Sequence, residues 1–471
     1  MRNTKIICTL GPAVDSDQMV EELIKAGMNC ARMNFSHGTH EEQKVRIDRV
    51  KRIREKLNAN VAILLDTKGP EIRVRDFKDG KVVLEPGKEF VLSSGDFLGD
   101  ATKVATTYPD LAKYVTLGSE ILIDDGHIVL SVTGIDGNDV KCIVVIGGKV
   151  SNHKGVNIPN VTIPMPYLSE VDKNDILFGI ENDIDFVAAS FTRTAWDIID
   201  LREFLNSNGG DKIKIIAKIE NASGIDSLDE IIKYADGVMI ARGDMGVEMD
   251  YTVIPGIQKQ MIRKCYKKGV PVVTATQMLE SMTASPIPTR AEVSDVANAV
   301  YSGTTIVMLS GETAAGDYPI EAVKAMSDIV TAAEKESSYK PVIPFEKLEL
   351  EKDIATTISL AACDAARYID ASAILVVTRS GRTAHLIADF HPNCPIIAAV
   401  TKEKAARQLA LARGVSAYVV EDQASAESLF EYALEVARQN GEISPGDTVV
   451  IVAGGSVVKR APSDMLKITT I

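Results

Sequence analysis

The sequence lacks an excess of basic residues, closely spaced cysteines and any apolar run long enough to cross a bilayer. Lysine and arginine number 52 against 65 aspartates and glutamates, which gives a net charge of -13 at pH 7. A charge of this sign argues against nucleic acid or an anionic membrane as a partner. The six cysteines include no Cys-x-x-Cys pair, which indicates free thiols and argues against a zinc site. The N-terminus shows no signal-peptide pattern, so we expect a cytoplasmic protein.

Strand patterns alternate with helix patterns in two parts of the chain. Three strand patterns precede residue 69 and five follow residue 164. Eight alternating strands predict a TIM (β/α)8 barrel; a doubly wound open sheet is the alternative, but no Gly-x-Gly-x-x-Gly turn follows the first strand. Residues 69–164 instead show short strand patterns separated by Asp-Gly turns, which predict an inserted all-β module. Its two connections to the barrel favour a lid that hinges.

The last third of the chain predicts a separate α/β domain. Residues 340–344 read as a linker, and a helix is predicted over 348–368. Four strand patterns then alternate with helices. We therefore divide the chain into a barrel (1–68 and 165–338), a β-barrel lid domain (69–164) and a C-terminal α/β regulatory domain (339–471).

Polar residues follow the barrel strand patterns at their carboxyl ends, where TIM-barrel chemistry takes place. They are Arg32, Asn34, Asp66, Lys218, Glu220, Asp244 (in a predicted glycine loop), Thr276, Ser310 and Glu312. Glu220 and Asp244 offer carboxylates for a divalent cation, and Lys218 suits phosphoryl oxygens or a developing enolate. A structural ion-pair network is the alternative, but a buried ion pair alone is a poor reason to place charges here, because desolvation costs about as much as the pairing returns.

A second polar cluster lies between a strand pattern and a helix pattern of the C-terminal domain. It consists of Thr378, Arg379, Ser380, Gly381, Arg382 and Thr383. Hydroxyls, a glycine and free N–H groups at a helix N-terminus form a nest for a phosphate group, and a plain capped turn is the alternative.

Seven stretches of the chain together resemble the pyruvate kinase family. They are residues 32–37, 64–73, 218–220, 241–248, 275–278, 288–292 and 308–313. The resemblance runs from Thr4 to the last strand and implies transfer of the phosphoryl group of phosphoenolpyruvate to ADP, giving pyruvate and ATP. It also implies a homotetramer. The family has Leu where this chain has Met245 and often Asp near Thr305, and neither departure falls on an expected ligand.

The resemblance further implies roles for individual residues. Glu220 and Asp244 would ligate Mg2+ (or Mn2+), and K+ would be held by Asn34, Ser36, Asp66 and Thr67. Phosphoenolpyruvate would contact Arg32, Lys218, Gly243, Asp244 and Thr276, of which Arg32, Lys218 and Thr276 act in catalysis. The nucleotide would contact Asn34, Phe35, Ser36, His37, Arg73 and Lys154. A phosphorylated effector would occupy residues 378–383; residues 454–460 lack the loop of fructose-bisphosphate-regulated members, so its identity stays open.

Two other functions are compatible with parts of this pattern. Another barrel enzyme acting on phosphoenolpyruvate or pyruvate, such as an aldolase or mutase, would share the metal carboxylates without needing Arg73, Lys154 or a lid. A non-catalytic metabolite sensor would use the C-terminal nest and would have an eroded barrel rim. The polar residues at the barrel strand ends are intact in this sequence, which favours the kinase.

Overall fold

The structure is a computed structural model. It describes residues 2–159, 161, 163–336, 353–421, 423, 426–454 and 463–471. The predicted linker, the start of the predicted helix over 348–368 and most of 454–460 lie outside these ranges. No helix in the described ranges combines the length and apolar character that crossing a membrane requires.

The chain begins with the first strands of a parallel barrel and two helices between them. The elements are β1 Lys5–Thr9, α1 Asp17–Ala26, β2 Cys30–Asn34, α2 His40–Lys56 and β3 Ala62–Asp66. Ser16 caps α1, and Gly27 ends it with a φ of 124° that suits glycine. Thr39 and Glu42 form a capping box at the start of α2. The helix patterns of the sequence predict helices over residues 17–26 and 39–57, and the structure confirms both to within one residue at each end.

The inserted module is entirely β apart from a short 3-10 turn at Leu111–Lys113. Its strands are β4 Ile72–Arg73, β5 Lys81–Leu84, β6 Glu89–Ser93, β7 Lys103–Ala105, β8 Glu120–Ile123, β9 Ile128–Asp136, β10 Asp139–Ile146, β11 Gly148–Ser151 and β12 Gly155–Asn157. Seven of them form one sheet, β5 pairs with β11, and together they enclose an apolar core. Strands β4, β7, β11 and β12 were not predicted, because two to four residues carry no readable alternation. We refer to β4–β12 as the lid.

The barrel then resumes and closes. Its remaining strands are β13 Phe186–Ala189, β14 Lys214–Ile219, β15 Gly237–Ala241, β16 Val272–Ala275 and β17 Ile306–Leu309. Its remaining helices are α3 Glu170–Glu181, α4 Ala195–Ser207, α5 Ala222–Asp226, α6 Leu228–Ile231, α7 Arg242–Glu248, α8 Ile254–Lys268, α9 Arg290–Ser302, α10 Gly311–Ala314 and α11 Pro319–Lys335. The eight strands pair in the closed order β1-β17-β16-β15-β14-β13-β3-β2, all parallel, which confirms the predicted TIM barrel.

One local prediction in the barrel is wrong. The stretch that contains Gly243 and Asp244 is the short helix α7, with Asp244 in its first turn, and not a glycine loop. The two glycines of this stretch pointed to a loop, but hydrogen bonds within the turn and packing of the fully buried Met245 favour a helix. Asp244 is therefore carried on a regular element.

The C-terminal part is a five-stranded α/β domain. Its elements are α12 Ile354–Tyr368, β18 Ala373–Thr378, α13 Arg382–Asp389, β19 Ile396–Val400, α14 Glu403–Leu409, β20 Val415–Val419, α15 Ala426–Gln439, β21 Thr448–Ala453 and β22 Met465–Thr470. The strand order is β20-β19-β18-β21-β22, with β22 antiparallel to β21. Sequence analysis missed β22, since it is a half-exposed edge strand without a strong apolar pattern.

The C-terminal domain closes the bottom of the barrel, the end where the parallel strands begin. Leu411 is 3% exposed and joins the apolar cluster inside the barrel, which includes Phe186 and Met239. Arg407 Nε donates to Asp185 Oδ1 at 2.9 Å, immediately before β13. The lid lies at the opposite end of the barrel, where the strands finish.

Candidate active site

A cleft of about 590 Å3 lies between the carboxyl ends of the barrel strands and the lid. Nine of the predicted site residues line it: Arg32, Asn34, Ser36, His37, Arg73, Lys154, Lys218, Glu220 and Asp244. The strand-end rule explains the meeting of residues that lie far apart in the chain, because parallel strands of one barrel all finish at the same end. The lid contributes Arg73 and Lys154 from β4 and from the segment before β12.

The ammonium group of Lys218 is held by three acceptors at the floor of the cleft. Its Nζ lies 3.0 Å from Asp66 Oδ1, 2.6 Å from Ser190 Oγ and 2.9 Å from Glu220 Oε1. Burial lowers the pKa of Lys218, but the carboxylates of Asp66 and Glu220 more than offset this and hold it above its ordinary value. Lys218 therefore carries a fixed positive charge at the end of β14.

Arg32 is paired with Asp66 beside this lysine. Arg32 Nε donates to Asp66 Oδ2 at 2.6 Å, and Arg32 Nη1 donates to Thr9 Oγ1 at 2.9 Å. Burial raises the pKa of Asp66, but Arg32 and Lys218 outweigh it, so the pKa is held below its usual value. Asp66 thus stays ionised and fixes two cations, each of which also borders the cleft.

Glu220 and Asp244 form the acidic side of the cleft. Glu220 is 1% exposed and accepts a hydrogen bond from the backbone N–H of Phe191. Burial raises the pKa of Glu220, Lys218 opposes this, and the nearby Asp244 raises it further. Asp244 thus repels the buried Glu220 carboxylate, and a cation held by both side chains would relieve that repulsion. Among the described residues, no group of three or more His, Cys, Asp or Glu side chains converges as a metal cage.

The loop after β2 is held in place from below by Gln43 of α2. Gln43 Nε2 donates to the carbonyl oxygens of Asn34 at 3.0 Å and His37 at 2.9 Å. Asn34 Oδ1 accepts the N–H of Ser36 at 3.1 Å. Burial lowers the pKa of His37, as do the nearby cations of the cleft, so the imidazole is neutral near pH 7. The Phe35 side chain does not face the cleft: it packs against His40 and Phe178.

The two lid cations are each engaged with an acidic neighbour. Arg73 Nε lies 2.7 Å from Glu71 Oε2, and Arg73 Nη1 donates to the carbonyl of His153 at 2.7 Å. Lys154 Nζ lies 2.7 Å from Asp124 Oδ1. Both cations line the cleft from the lid side, opposite Arg32 and Lys218 across the opening.

Thr276 and Thr67 lie beside the cleft rather than on its surface. Thr276 Oγ1 accepts the N–H of Gly243 at 2.7 Å and donates to the carbonyl of Ala275 at 2.6 Å. Thr67 Oγ1 donates to the carbonyl of Ala188 at 3.2 Å. Neither side chain borders the cavity, so these two residues orient its walls in this structure.

Sequence reasoning missed Ser190 and Phe191, the pair that follows β13. Both line the cleft, and both contact the Lys218–Glu220 pair. The position of Ser190 could have indicated its role, because it directly follows the fourth barrel strand and site residues lie at strand ends. No residue at the end of that strand was predicted to belong to the site. Serine and phenylalanine are common residue types, so neither Ser190 nor Phe191 stood out as a site residue in the sequence.

The residues predicted to bind a phosphate group, 378–383, run from the end of β18 through a short turn into the first residues of α13. Gly381 has a φ of 81°, and the Ser380 hydroxyl accepts the N–H of Arg382 at 3.4 Å. Arg382 Nη2 lies 2.8 Å from Asp353 Oδ2, and the Thr383 hydroxyl lies 2.6 Å from that of Ser463. The structure thus brings the six residues together, and the side chains of Ser380, Arg382 and Thr383 already contact protein groups.

Comparison with known proteins decides the family. The model of the pyruvate kinase barrel domain matches residues 1–323, and that of the pyruvate kinase alpha/beta domain matches residues 356–469. The chain belongs to the pyruvate kinase family. It is 46% identical to the pyruvate kinase of Clostridium acetobutylicum, with all of both chains covered. It is also 46% identical to that of Staphylococcus haemolyticus, covering 99% of this chain and 80% of the relative.

Solved structures agree with this assignment. The crystal structure of a pyruvate kinase from Cryptosporidium parvum matches with a TM-score of 0.90 and 36% identity, covering 100% of this chain and 96% of that one. As a pyruvate kinase, the chain is a phosphotransferase that moves the phosphoryl group of phosphoenolpyruvate to ADP, in the last step of glycolysis. Membership of the family implies a general dependence on a divalent metal and on potassium.

Proposed function

We propose that phosphoryl transfer takes place at the floor of the cleft, with Lys218 as the central catalytic residue. The observation that carries this proposal is the buried Lys218 ammonium, held between Asp66 and Glu220 where the cleft meets the barrel. Phosphoryl transfer requires positioning and charge neutralisation rather than covalent help from the protein. A preorganised cation in a water-poor site stabilises both the moving phosphoryl group and the enolate that it leaves behind.

The other cations of the cleft divide between the two substrates. Arg32 lies beside Lys218 and would hold the phosphate of phosphoenolpyruvate. Arg73 and Lys154 line the lid side and, with the 34–37 loop, would bind ADP or ATP. Phosphates would then replace Glu71 and Asp124 as partners of the two lid cations, because phosphate oxygens accept the same charge-assisted hydrogen bonds and a nucleotide carries several negative charges.

Glu220 and Asp244 would hold Mg2+ (or Mn2+), which supplies positive charge to the phosphoryl oxygens when it is bound. The donor set fits, since two carboxylates with substrate oxygens and water make up the coordination that Mg2+ prefers. The Phe191 N–H fixes the orientation of Glu220, and α7 fixes that of Asp244. The oxygens of Asn34, Ser36, Asp66 and Thr67 would hold K+.

Gly243 and Thr276 would act on the carboxylate end of phosphoenolpyruvate. The Gly243 N–H now donates to Thr276 Oγ1, so a substrate carboxylate at Gly243 would take over this donor and release the Thr276 hydroxyl toward the substrate. The turn at residues 276–277 is in the left-handed region, with a φ of 64° at Thr276. Backbone strain of this kind is common at functional sites.

We also propose that the enzyme works in the cytoplasm as a homotetramer. Each chain is divided into a barrel (1–68 and 165–338), a lid (69–164) and a regulatory domain (339–471). The 378–383 turn would bind a phosphorylated effector, for which the left-handed Gly381 and the N-terminus of α13 are suited. Calorimetric titration with sugar monophosphates, sugar bisphosphates and AMP tests this turn, and absence of heat with all of them would contradict it.

The central experiment measures pyruvate formed from phosphoenolpyruvate with and without ADP. We expect formation to require ADP; pyruvate released without it would favour another class of barrel enzyme.

Lys218→Met should lower kcat by about 10² to 10³ or more, the usual loss when one preorganised charge is removed from a transition state. Lys233→Met, which removes an exposed lysine paired with Glu230, is the matched control and should leave kcat unchanged. Equal rates in both variants would refute the role of Lys218.

A further inference from the structure

The turn that follows β13 contacts both members of the Lys218–Glu220 pair. The Ser190 hydroxyl lies 2.6 Å from Lys218 Nζ, and the next residue, Phe191, donates its backbone N–H to the Glu220 carboxylate. Phe191 has a φ of 52°, a left-handed conformation that is unusual for an aromatic residue. This conformation turns the chain so that two successive residues face one ion pair.

Ser190 is held rigidly from several sides. It is 1% exposed, and its hydroxyl lies 3.0 Å from Asp66 Oδ1 and 2.7 Å from the carbonyl oxygen of Thr67. Its N–H donates to Thr67 Oγ1 at 3.2 Å, and its carbonyl accepts from the Tyr167 hydroxyl at 3.1 Å. The hydroxyl proton is directed to one of its two acceptors, which leaves a lone pair on Oγ aimed at Lys218.

The three acceptors around Lys218 differ in charge. Asp66 and Glu220 are carboxylates, so each orients the ammonium group and also neutralises part of its charge. The Ser190 hydroxyl is neutral, so it orients the ammonium group without neutralising any of its charge. If Glu220 held a divalent cation, the hydroxyl and Asp66 would remain to direct the ammonium group, and one of its N–H groups would be available to a substrate oxygen.

We infer that Ser190 is a positioning residue for the phosphoryl transfer, acting through Lys218. The inference rests on the proposed role of Lys218 and adds to it a specific requirement: the ammonium group must be aimed as well as charged. A misplacement of about 1 Å in a catalytic group costs about 10²-fold in rate. Loss of the neutral acceptor is therefore expected to act on kcat and to spare substrate affinity.

The test compares Ser190→Ala with Thr192→Val in the full-length enzyme. Thr192 is a matched control, because its hydroxyl is fully buried in the same turn and donates to the carbonyl of Ala189. Thr192 contacts the Lys218 carbonyl through its backbone N–H, and Thr192→Val keeps that bond. Steady-state kinetics gives kcat and the KM for phosphoenolpyruvate, and calorimetric titration with Mn2+ reports on the metal ligands. We expect Ser190→Ala to lower kcat by about 10- to 100-fold, with KM and Mn2+ affinity within about twofold of the original enzyme.

Three results would overturn the inference. They are an unchanged kcat in Ser190→Ala, an equal loss in Thr192→Val, and a loss of Mn2+ affinity parallel to the loss of kcat. The second would mean that any buried hydroxyl of the turn matters, and the third that Ser190 serves the metal ligand. Lys218→Met, measured alongside, separates this inference from the proposed function: if that variant is fully active, the role of Lys218 itself falls.

Discussion

The Glu71 carboxylate contacts the Arg73 guanidinium at the outgoing connection of the lid, and both residues line the cleft. Burial raises the pKa of Glu71, although Arg73 opposes this. A carboxylate in this place adds negative potential beside Asn34 and Ser36, which are among the proposed K+ ligands. The resemblance to the pyruvate kinase family implies that a Glu at this position accompanies K+ dependence and that a Lys accompanies K+ independence.

We therefore expect the enzyme to require K+, and Glu71→Lys to reduce that requirement, because a lysine ammonium group can substitute for the charge of the ion. Activity is measured at fixed Mg2+ in tetramethylammonium salt, with and without K+, at matched ionic strength. Glu85→Lys, a charge reversal at an exposed lid glutamate, is the control and should keep the full requirement. Equal rates with and without K+ in the unmodified enzyme would refute the ion site.

At the scale of elements, the connections of the lid are held by two residues of the barrel. Asp172 of α3 is 1% exposed, and its Oδ1 accepts the N–H groups of Lys68 and Gly69 on the outgoing connection, both at 3.1 Å. Arg193 donates to the carbonyls of Ile163 and Met165 on the return connection, at 3.2 Å and 3.0 Å. Both connections are thus tied to the barrel, the outgoing one to the first turn of α3 and the return one to the segment after β13.

Asp172→Ala should loosen the outgoing connection, because two buried N–H groups lose their acceptor. Each unsatisfied buried group costs about 1–3 kcal/mol unless the segment opens to water. We expect faster amide exchange over residues 68–71 and a raised KM for ADP, whose binding depends on the lid. Glu170→Ala, at an exposed position in the same helical turn, should change neither quantity. Unchanged exchange in Asp172→Ala would show that the connection is held by other contacts.

The Leu411 side chain is a second element-scale feature, since one residue of the C-terminal domain completes the apolar interior of the barrel. Leu411→Ala should lower the free energy of unfolding by about 2–5 kcal/mol, the usual effect of a cavity left by a buried leucine. Leu117→Ala, at a leucine that is 71% exposed on the lid, should change it by less than about 0.5 kcal/mol. Urea unfolding measures both, and similar values for the two variants would contradict the role of Leu411.

At the scale of the whole molecule, titratable groups lie in the interface between the barrel and the C-terminal domain. Lys214 Nζ on β14 lies 2.7 Å from His385 Nε2 on α13, and both border a small cavity that also contacts Asp236. Burial lowers the pKa of His385 well below its ordinary value, and Lys214 lowers it further. Burial raises the pKa of Asp389, on the same helix, although Lys214 opposes it.

These shifts predict how stability depends on pH. As pH falls below the unfolded histidine pKa of about 6.5, the unfolded chain binds a proton that folded His385 does not, so the free energy of unfolding decreases. The slope is at most about 1.4 kcal/mol per pH unit for one histidine. The raised pKa of Asp389 has the opposite sign, because the folded state keeps a proton that the unfolded state loses as pH rises above about 4.

His385→Gln should therefore flatten the loss of stability between about pH 6.5 and pH 5, relative to the unmodified enzyme. Chemical unfolding at a series of pH values measures the slope directly, and the contribution of Asp389 is common to both proteins. His127→Gln, at an exposed lid histidine, is the control and should leave the slope unchanged. Equal slopes in all three proteins would mean that His385 does not titrate with unfolding.

The sequence by itself determined the class of fold and the place of the chemistry. Alternating apolar strands and helix patterns indicated a parallel barrel, and the patterns over residues 17–26 and 39–57 gave the helix ends to within one residue. Because parallel strands finish at one end of a barrel, strand ends alone predicted that Arg32, Lys218 and Glu220 lie together. These inferences depend on short-range patterns and on one topological rule.

Only the tertiary structure decided which groups touch and in what state they are held. The partners of Lys218 lie far from it in the sequence: Asp66 is 152 residues away, and Ser190 is 28 residues away. No local pattern encodes such a pairing. The same holds for the helical turn of Asp244 and for the Thr276 hydroxyl bound to Gly243. Hydrogen bonds and pKa values depend on distances of a few ångströms and on burial, and both arise only when distant segments pack together.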